Sequence, residues 1–528
     1  MATLETYDAA FFQGFIVLKG GSAILLAGLL SACSLPSLEG RSASHALLSQ
    51  DSGDTRLGRG LAPMVREHPG MSGVAPLFNP LDAFATRMLL IAAAQRTLDI
   101  QYYIWRDDIT GNLLLHALHE AAKRQVRVRL LLDDNGISGL DGKLALLNAV
   151  PNVEVRLFNP FPFRTFKPLG FLTDFNRVNR RMHNKSFTVD GQVTIVGGRN
   201  IGDEYFGATQ DMEFADLDVL VAGAVVDDMS RDFDRYWNSE SAYPVDKLVS
   251  MPNDRKAREL LMGEASTELL PKAHAYMTAV RQSGFLENLL AGTQQLQWVR
   301  VRMVSDDPAK VLDKAPQGTL LVERLTQVLD KPEKSVDLVS PYFVPTDQGV
   351  AELGALAKQG VRLRVLTNAM EATDVVAVHA GYMKYRVPLL KQGIELFEMR
   401  RHSDQEKIRG RAGPFGSSGS SLHAKTFAVD GRRVFVGSFN FDPRSASLNT
   451  ELGFVIESRD MAQSVVKAFD VDVPGYAYKL GLDENDEVYW LKTNADGEVE
   501  KLLTEPSVSL PKRLYVQFLS LLPIESLL

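Results

Sequence analysis

Only one cysteine, Cys33, occurs in the 528 residues, so no intrachain disulfide can form and redox chemistry has no foothold in the composition. Positive charge is outnumbered as well: 58 Lys and Arg stand against 65 Asp and Glu, a net charge of −7. That balance gives no general attraction to nucleic acid, which weighs against a nuclease without excluding one. No His, Cys, Asp or Glu cluster has convincing metal-ligand spacing, so neither a metal nor another cofactor is expected. The one apolar run near bilayer length, residues 11–30, is barely long enough to span and contains Lys19. With 45% hydrophobic and 23% charged residues, the remainder has the composition of a globular protein with room for two full cores.

What the chain does have is one stretch written twice. RMHNKSFTVDGQVTIVGGRN at 181–200 returns as SLHAKTFAVDGRRVFVGSFN at 421–440, matching His183, Lys185, Asp190, Gly197 and Asn200 to His423, Lys425, Asp430, Gly437 and Asn440. One such five-position match arises by chance in about one chain in ten thousand, so two exclude accident. In each copy two β-rich runs flank Asp-Gly, which predicts a hairpin with a type I′ turn and gives Asp190 and Asp430 a turn role. A His and a Lys two residues apart on a strand project from one face. Gly197-Gly198 and Gly437-Ser438 lack bulk where a backbone would approach a ligand closely, and Asn200 and Asn440 supply amide donors. Two copies facing one another would bring two His, two Lys and two Asn to one centre, an arrangement suited to a phosphate diester. The repeat runs further, since TLDIQYYI at 97–104 and VRVRLLL at 126–132 answer SVDLVSPYFV at 335–344 and VRLRVLT at 361–367. An entire domain is duplicated.

On these residues the chain resembles the phospholipase D superfamily, whose signature is HxKxxxxD followed by Gly-Gly or Gly-Ser and an Asn. Both copies are complete, and the resemblance covers about residues 80–240 and 295–470. It implies an α/β fold of two tandem phospholipase D-like domains, each a mixed β-sheet flanked by helices, sharing one active site at their interface. The phrases SLPSLEGRS, IQYYIWRDDITG and LPIESLL look most like bacterial cardiolipin synthases and related lipoprotein-like members. The resemblance implies a phosphohistidine intermediate formed by one imidazole, the other protonating the departing alcohol and deprotonating the incoming one. Attack is assigned to His183 and acid–base work to His423, an order the sequence alone does not fix. Lys185 and Lys425, aided by Asn200 and Asn440, would neutralise the phosphate. Asp216 and Glu451 would hold the imidazole tautomers, each serving the other half's histidine; a plain strand-edge charge is the alternative for either acid. The expected function is a membrane-associated phosphatidyltransferase making cardiolipin from phosphatidylglycerol and a second phospholipid. A hydrolytic phospholipase D is the alternative, and a nuclease of the same superfamily a third. Expected partners are phospholipids at a membrane, with no nucleic acid.

Residues 1–33 read as a signal or anchor. The run Gly21 to Leu30 ends in Leu30-Ser31-Ala32-Cys33, resembling a bacterial lipobox, while an uncleaved membrane helix or a buried helix are the alternatives. Acidic Glu5 and Asp8 are unusual for an export signal, and initiation at Val17 would remove them. Acylation of Cys33 would place the enzyme in the bacterial cell envelope facing the periplasm. Residues 34–79 are expected to be a tether, 80–240 the first domain, 241–294 a helical linker, 295–470 the second domain and 471–528 an appendage whose last helix docks on the core. The aromatic and basic stretch 158–171 is either a lip touching lipid or a loop packed on its own domain. Residues 400–421 are expected to form a mobile loop at the site mouth.

Overall fold

The computed structural model describes residues 35–208, 214–252, 276–278, 293, 295–401, 421–494 and 496–528. Cys33 with its apolar run, most of the 241–294 linker and nearly all of the 400–421 loop lie outside the described residues.

The first half supplies β1 (Ser72–Leu77), β2 (Thr97–Ile104), β3 (Arg127–Gly136), β4 (Val153–Phe158), β5 (Ser186–Val189), β6 (Val193–Gly197), β7 (Phe214–Ala215), β8 (Asp218–Gly223) and β9 (Ala242–Pro244). With β10 (Gln297–Val299) at its edge, the first sheet has the order β10-β1-β8-β6-β5-β2-β3-β4-β9. The second half supplies β11 (Val301–Ser305), β12 (Ser335–Val339), β13 (Arg362–Asn368), β14 (Glu395–Met399), β15 (Ser421–Leu422), β16 (Thr426–Val429), β17 (Arg433–Gly437), β18 (Leu452–Ile456), β19 (Ala477–Leu482), β20 (Val488–Thr493) and β21 (Val499–Leu502). Its sheet runs β11-β18-β17-β16-β12-β13-β14-β19-β20-β21. Strand for strand, β1-β8-β6-β5-β2-β3-β4-β9 and β11-β18-β17-β16-β12-β13-β14-β19 are the same path. In each, three strands pair parallel and the rest antiparallel.

The parallel strands are joined by crossover helices, Ile109–Lys123 between β2 and β3 and Thr346–Lys358 between β12 and β13. Asp108 starts the first of these by accepting from Gly111 N at 2.9 Å. Covered on both faces, β3 can be nearly continuous in its hydrophobicity, and Leu130, Leu131 and Leu132 are all fully buried.

The two halves share a core in which Val196, Leu217 and Val219 meet Val436, Leu452 and Phe454. Backbone bonds stitch the seam: β7 pairs with β15, and His183 N donates to Thr450 O at 2.9 Å while Thr450 N donates to Arg181 O at 2.9 Å.

Residues 35–79 are not a tether. Arg41 donates to Asn238 O at 2.8 Å and Ala242 O at 2.9 Å, Arg56–Glu67 is a helix, and β1 sits inside the first sheet between β10 and β8. Gly73 and Pro76 mask this strand in the sequence. Proline is tolerated because β10 pairs only with Ser72, Gly73 and Val74, so at Pro76 the strand pairs with β8 alone and one of its edges is open. Nor is 471–528 a separate appendage, since β19, β20 and β21 extend the second sheet. The 158–171 stretch divides its aromatics: Phe161 is buried under the Arg181 guanidinium at 5.1 Å, whereas Phe166 is exposed. Among the described residues no helix is long and apolar enough to cross a membrane.

Candidate active site

Both hairpins turn through an Asp-Gly pair in the left-handed region, with φ of 51° and 61° at Asp190 and Gly191 and of 54° and 59° at Asp430 and Gly431. Two such residues in succession define the type I′ turn. The aspartates do more than turn. Asp190 accepts from the backbone N–H groups of Gln95 (3.0 Å), Arg96 (2.8 Å) and Thr97 (2.9 Å), and Asp430 from those of Glu333 (3.2 Å), Lys334 (2.7 Å) and Ser335 (3.0 Å). Each carboxylate thus clamps its hairpin to the start of the neighbouring strand, β2 or β12. Burial pushes Asp430 up, but the three N–H groups outweigh it and hold the carboxyl below the usual range.

His183 and His423 line one cleft of about 830 Å³ between the halves, together with Asn200 and Asn440. His183 Nδ1 lies 2.9 Å from Glu451 Oε2, and His423 Nδ1 lies 2.6 Å from Asp216 Oδ2. Each acid therefore comes from the opposite half, fixing Nδ1 as the bonded nitrogen and leaving Nε2 for the cleft. Lys185 and Lys425 are not among the lining residues. Both are buried behind the imidazoles, their ammonium groups donating to the backbone carbonyls of His183 and His423.

The two imidazoles differ electrostatically. Burial, then Lys185 and Lys425, hold His183 well below its ordinary value. Burial pushes Glu451 up to about 7 against the pull of Lys185, and brings Lys185 down to about 7. On the other side burial raises Asp216, but His423 overcomes it and keeps that carboxyl below the usual range. His423 itself is lowered by burial and Lys425, with Asp216 opposing both.

The paired small residues serve a different purpose from close approach to a ligand. A Cβ on Gly198 would stand 2.1 Å from Asp216 Oδ1, and one on Gly197 would stand 2.4 Å from Leu217 O. A Cβ on Gly437 would lie 2.4 Å from Leu452 O. These glycines make room for the next strand and, at 198, for the acid itself. Where the second half has Ser438, the hydroxyl donates to Glu451 Oε2 at 2.5 Å, and Ser445 donates to Oε1 at 2.8 Å. Asn200 is also not a free donor on both N–H groups: its Nδ2 reaches Tyr205 OH at 3.0 Å, and its Oδ1 accepts from Ile104 N at 3.1 Å.

Several lining groups carry no motif signal. Tyr103 stands edge-on to His183 at 5.0 Å, Tyr205 edge-on to His423 at 5.2 Å, and Tyr103 and Tyr342 lie under Lys185 and Lys425 at 5.6 and 5.9 Å. The alignment of 97–104 with 335–344 does not expose the pair, since with Asp99 on Asp337 Tyr103 falls on Pro341 and Tyr342 on Ile104. Arg444 also lines the cleft, its guanidinium donating to Asn179 O and Leu527 O, which leaves its charge uncompensated by those bonds. Away from the cleft, donor atoms of His116, His119 and Glu120 lie within 4.8 Å of one another on the helix Ile109–Lys123, a grouping the spacing argument passed over.

Comparison with known proteins identifies the family. The profile of a family described as "Cardiolipin synthase, PLD-like domain" matches residues 88–237 and 325–473, one match in each half. Cardiolipin synthase C of Escherichia coli (strain K12) is 49% identical over 473 residues, spanning 90% of this chain and 100% of that protein. A cardiolipin synthase of Geobacillus kaustophilus (strain HTA426) is 26% identical, spanning 78% of this chain and 68% of that one. Among solved structures, a phosphatidylserine synthase from Haemophilus influenzae Rd KW20 superposes with a TM-score of 0.54 at 14% identity, covering 90% of this chain and all of that one, a likeness of fold. A profile spanning more than half of the residues and a 49%-identical relative matched over its full length place the chain in the phospholipase D-like family of cardiolipin synthases.

Proposed function

We propose that the protein transfers a phosphatidyl group from one phospholipid to a hydroxyl of phosphatidylglycerol, releasing the donor's headgroup alcohol and forming cardiolipin. The observation that carries this reading is the pair of imidazoles in one cleft, each tied at Nδ1 to an acid from the opposite half.

In the first step His183 Nε2 attacks phosphorus, a P–N bond forms, and the P–O bond to the headgroup breaks while His423 gives its Nε2 proton to the departing alkoxide. In the second, His423 takes the proton of the incoming hydroxyl, whose oxygen attacks phosphorus and breaks the P–N bond. Both imidazoles then regain their starting states. The division of labour rests on electrostatics. An attacking imidazole must be neutral, and His183 is held well below its ordinary value. A general acid must carry a proton in a buried place; His423 is lowered too, by burial and Lys425, but less than His183, because the ionised Asp216 at 2.6 Å opposes both. Lys185 and Lys425 act from beneath the cleft floor as buried positive charge, which strengthens as the anionic phosphate arrives. Arg444 lines the same cleft and adds positive charge to its wall.

Hydrolysis uses the same first step with water in the second, so products decide. Incubation with phosphatidylglycerol in the presence of a chelator should yield cardiolipin and glycerol; phosphatidic acid with free glycerol would establish the hydrolytic reading instead. The membrane assignment has a finer form, acylation of Cys33 and anchoring in the cell envelope, with the catalytic halves facing the periplasm. Radiolabelled palmitate appearing in the chain, and disappearing in Cys33→Ala, tests it.

A further inference from the structure

Two apolar strips, one from each half, flank the cleft. In the first half Phe166, Leu169, Leu172 and Phe175 are exposed, Leu172 by 82%. They lie on and before the short helices Leu169–Thr173 and Phe175–Val178, and Phe171 and Val178 of the same segment line the cleft. In the second half the helix Leu510–Ser520 buries Val516 and turns Leu510, Leu514 and Phe518 outward, with Leu521 just beyond it exposed by 83%. That spacing is a single helical stripe. The helix packs on Val376–Met383, whose Val378 lines the cleft, and the chain then returns to put Leu527 and Leu528 in the same lining. Arg444 ties the two rims together, donating to Asn179 O at 2.8 Å from its guanidinium and to Leu528 O at 2.6 Å from its backbone N–H.

Exposed apolar residues scattered singly are ordinary, but strips on both rims of a cleft that holds buried charge mark a docking surface. We propose that the strips seat the cleft mouth on the surface of an anionic phospholipid bilayer, an interfacial contact separate from any amino-terminal anchor. The proposal rests on the phosphatidyl-transfer reading, because only a lipid substrate requires the cleft to open toward a bilayer.

Three observations favour a bilayer over a protein cover. The strips are continuous with the cleft lining, so a protein seated across both would close the entrance that substrate must use. The helix, at 11 residues, is too short to span but suited to lie in the interface plane. Lys512 and Arg513 donate to the carbonyls of Met370 and Val508, and residues 510–521 contain no acid, so this strip is cationic in a chain of net charge −7. A negatively charged leaflet complements it.

The test uses the full chain carrying Leu172→Trp or Phe518→Trp, mixed with phosphatidylglycerol vesicles whose acyl chains are brominated. Tryptophan quenching beyond that of the unsubstituted protein is expected at both positions, and its absence at either overturns the proposal. A triple variant, Leu172→Ser, Phe518→Ser and Leu521→Ser, should lose turnover on vesicles by about tenfold or more while keeping it on water-soluble short-chain phosphatidylglycerol. Equal turnover on vesicles would also overturn it, as would a dimer in sedimentation that dissociates in the triple variant and leaves vesicle turnover intact. Failure of the functional reading looks different: no phospholipid of either kind is turned over, yet quenching persists.

Discussion

Replacing Asp216 with asparagine keeps the shape of the side chain and removes the negative charge 2.6 Å from His423 Nδ1. Both groups are buried, at 6% and 0% side-chain exposure, so solvent cannot compensate. Lys425 Nζ, 3.2 Å from the same nitrogen, then becomes the dominant charge at the imidazole and opposes its protonation. A hydrogen bond to a charged partner contributes about 1.5–3 kcal/mol, and the upper end fits a short buried pair. A loss of about 3 kcal/mol is roughly a hundredfold in kcat. An asparagine that turns its NH2 toward the ring favours the wrong tautomer and extends the loss toward about ten-thousandfold.

Glu451→Gln should be milder. Burial already pushes that carboxyl up to about 7, and with the glutamine oxygen in the Oε2 position Ser438 can still donate to it while the NH2 in the Oε1 position donates to the Ser445 hydroxyl. The expected loss is about 1 kcal/mol, or five- to tenfold. The assay is kcat between about pH 5 and 9 for both variants, with cardiolipin as the measured product. As the general acid, His423 must hold its proton, so turnover falls as pH rises through its pKa. Asp216 raises that pKa, and its loss should move the falling limb to lower pH. An Asp216→Asn enzyme within about threefold of the parent would refute the reasoning, and a Glu451→Gln enzyme with the larger loss and the shifted limb would reverse the two imidazoles.

Gly198→Ala places a Cβ 2.1 Å from Asp216 Oδ1 and should reproduce the Asp216→Asn kinetics in a folded protein; circular dichroism and kcat together check it. Gly197→Ala instead meets Asp218 Oδ1 and the backbone at Leu217 O, neither of which touches an imidazole, and should appear as a lower melting temperature. Asp190→Asn retains an acceptor for Arg96 and Thr97 but offers an N–H to Gln95 N, a cost of about 1–3 kcal/mol in stability with kcat of the folded enzyme preserved; thermal unfolding alongside activity distinguishes this from a catalytic role. For pH, the folded chain keeps a proton on Glu451 up to about 7 that the unfolded chain releases near 4.5, so stability falls as pH rises through that window. Between about 7 and 10.5 the unfolded chain holds a proton that buried Lys185 has lost, so stability rises with pH there. A Glu451→Gln, Lys185→Met double variant should show a flatter dependence of melting temperature on pH than its parent.

The duplication was legible because its signals are local: a His two residues before a Lys, an Asp-Gly turn and a strand with a fixed alternation are all readable within twenty residues. The acids were reachable through the resemblance and sit where each imidazole needs them. Features that depend on what arrives from elsewhere in the chain were not legible. Gly198 is small because Asp216, eighteen positions later, fills its side-chain space. Strand β1 is hidden because Gly73 and Pro76 lower its strand propensity, while β8 and β10 on either side supply the pairing that overrides it. The lysines project beside their histidines, yet whether they reach the cleft or fold back onto a carbonyl is decided by packing around them.

The departures from internal symmetry fall where the chemistry needs them. A displacement that needs a nucleophile and an acid in the same step needs the two imidazoles in different protonation states, and unequal surroundings favour one assignment over the other. The chain keeps the symmetric parts that hold the frame and the positive charge: the Asp-Gly clamps and the buried lysines. It differs at the acid, Asp216 against Glu451; at the position beside it, Gly198 against Ser438; and five residues past each motif Asn, Tyr205 against Ser445. On the Glu451 side both serines donate to the carboxyl, whose burial takes it up to about 7 and leaves less charge to hold a proton on His183. On the Asp216 side the glycine leaves the carboxylate uncrowded and Tyr205 is bound to Asn200 instead, so the full negative charge remains with His423.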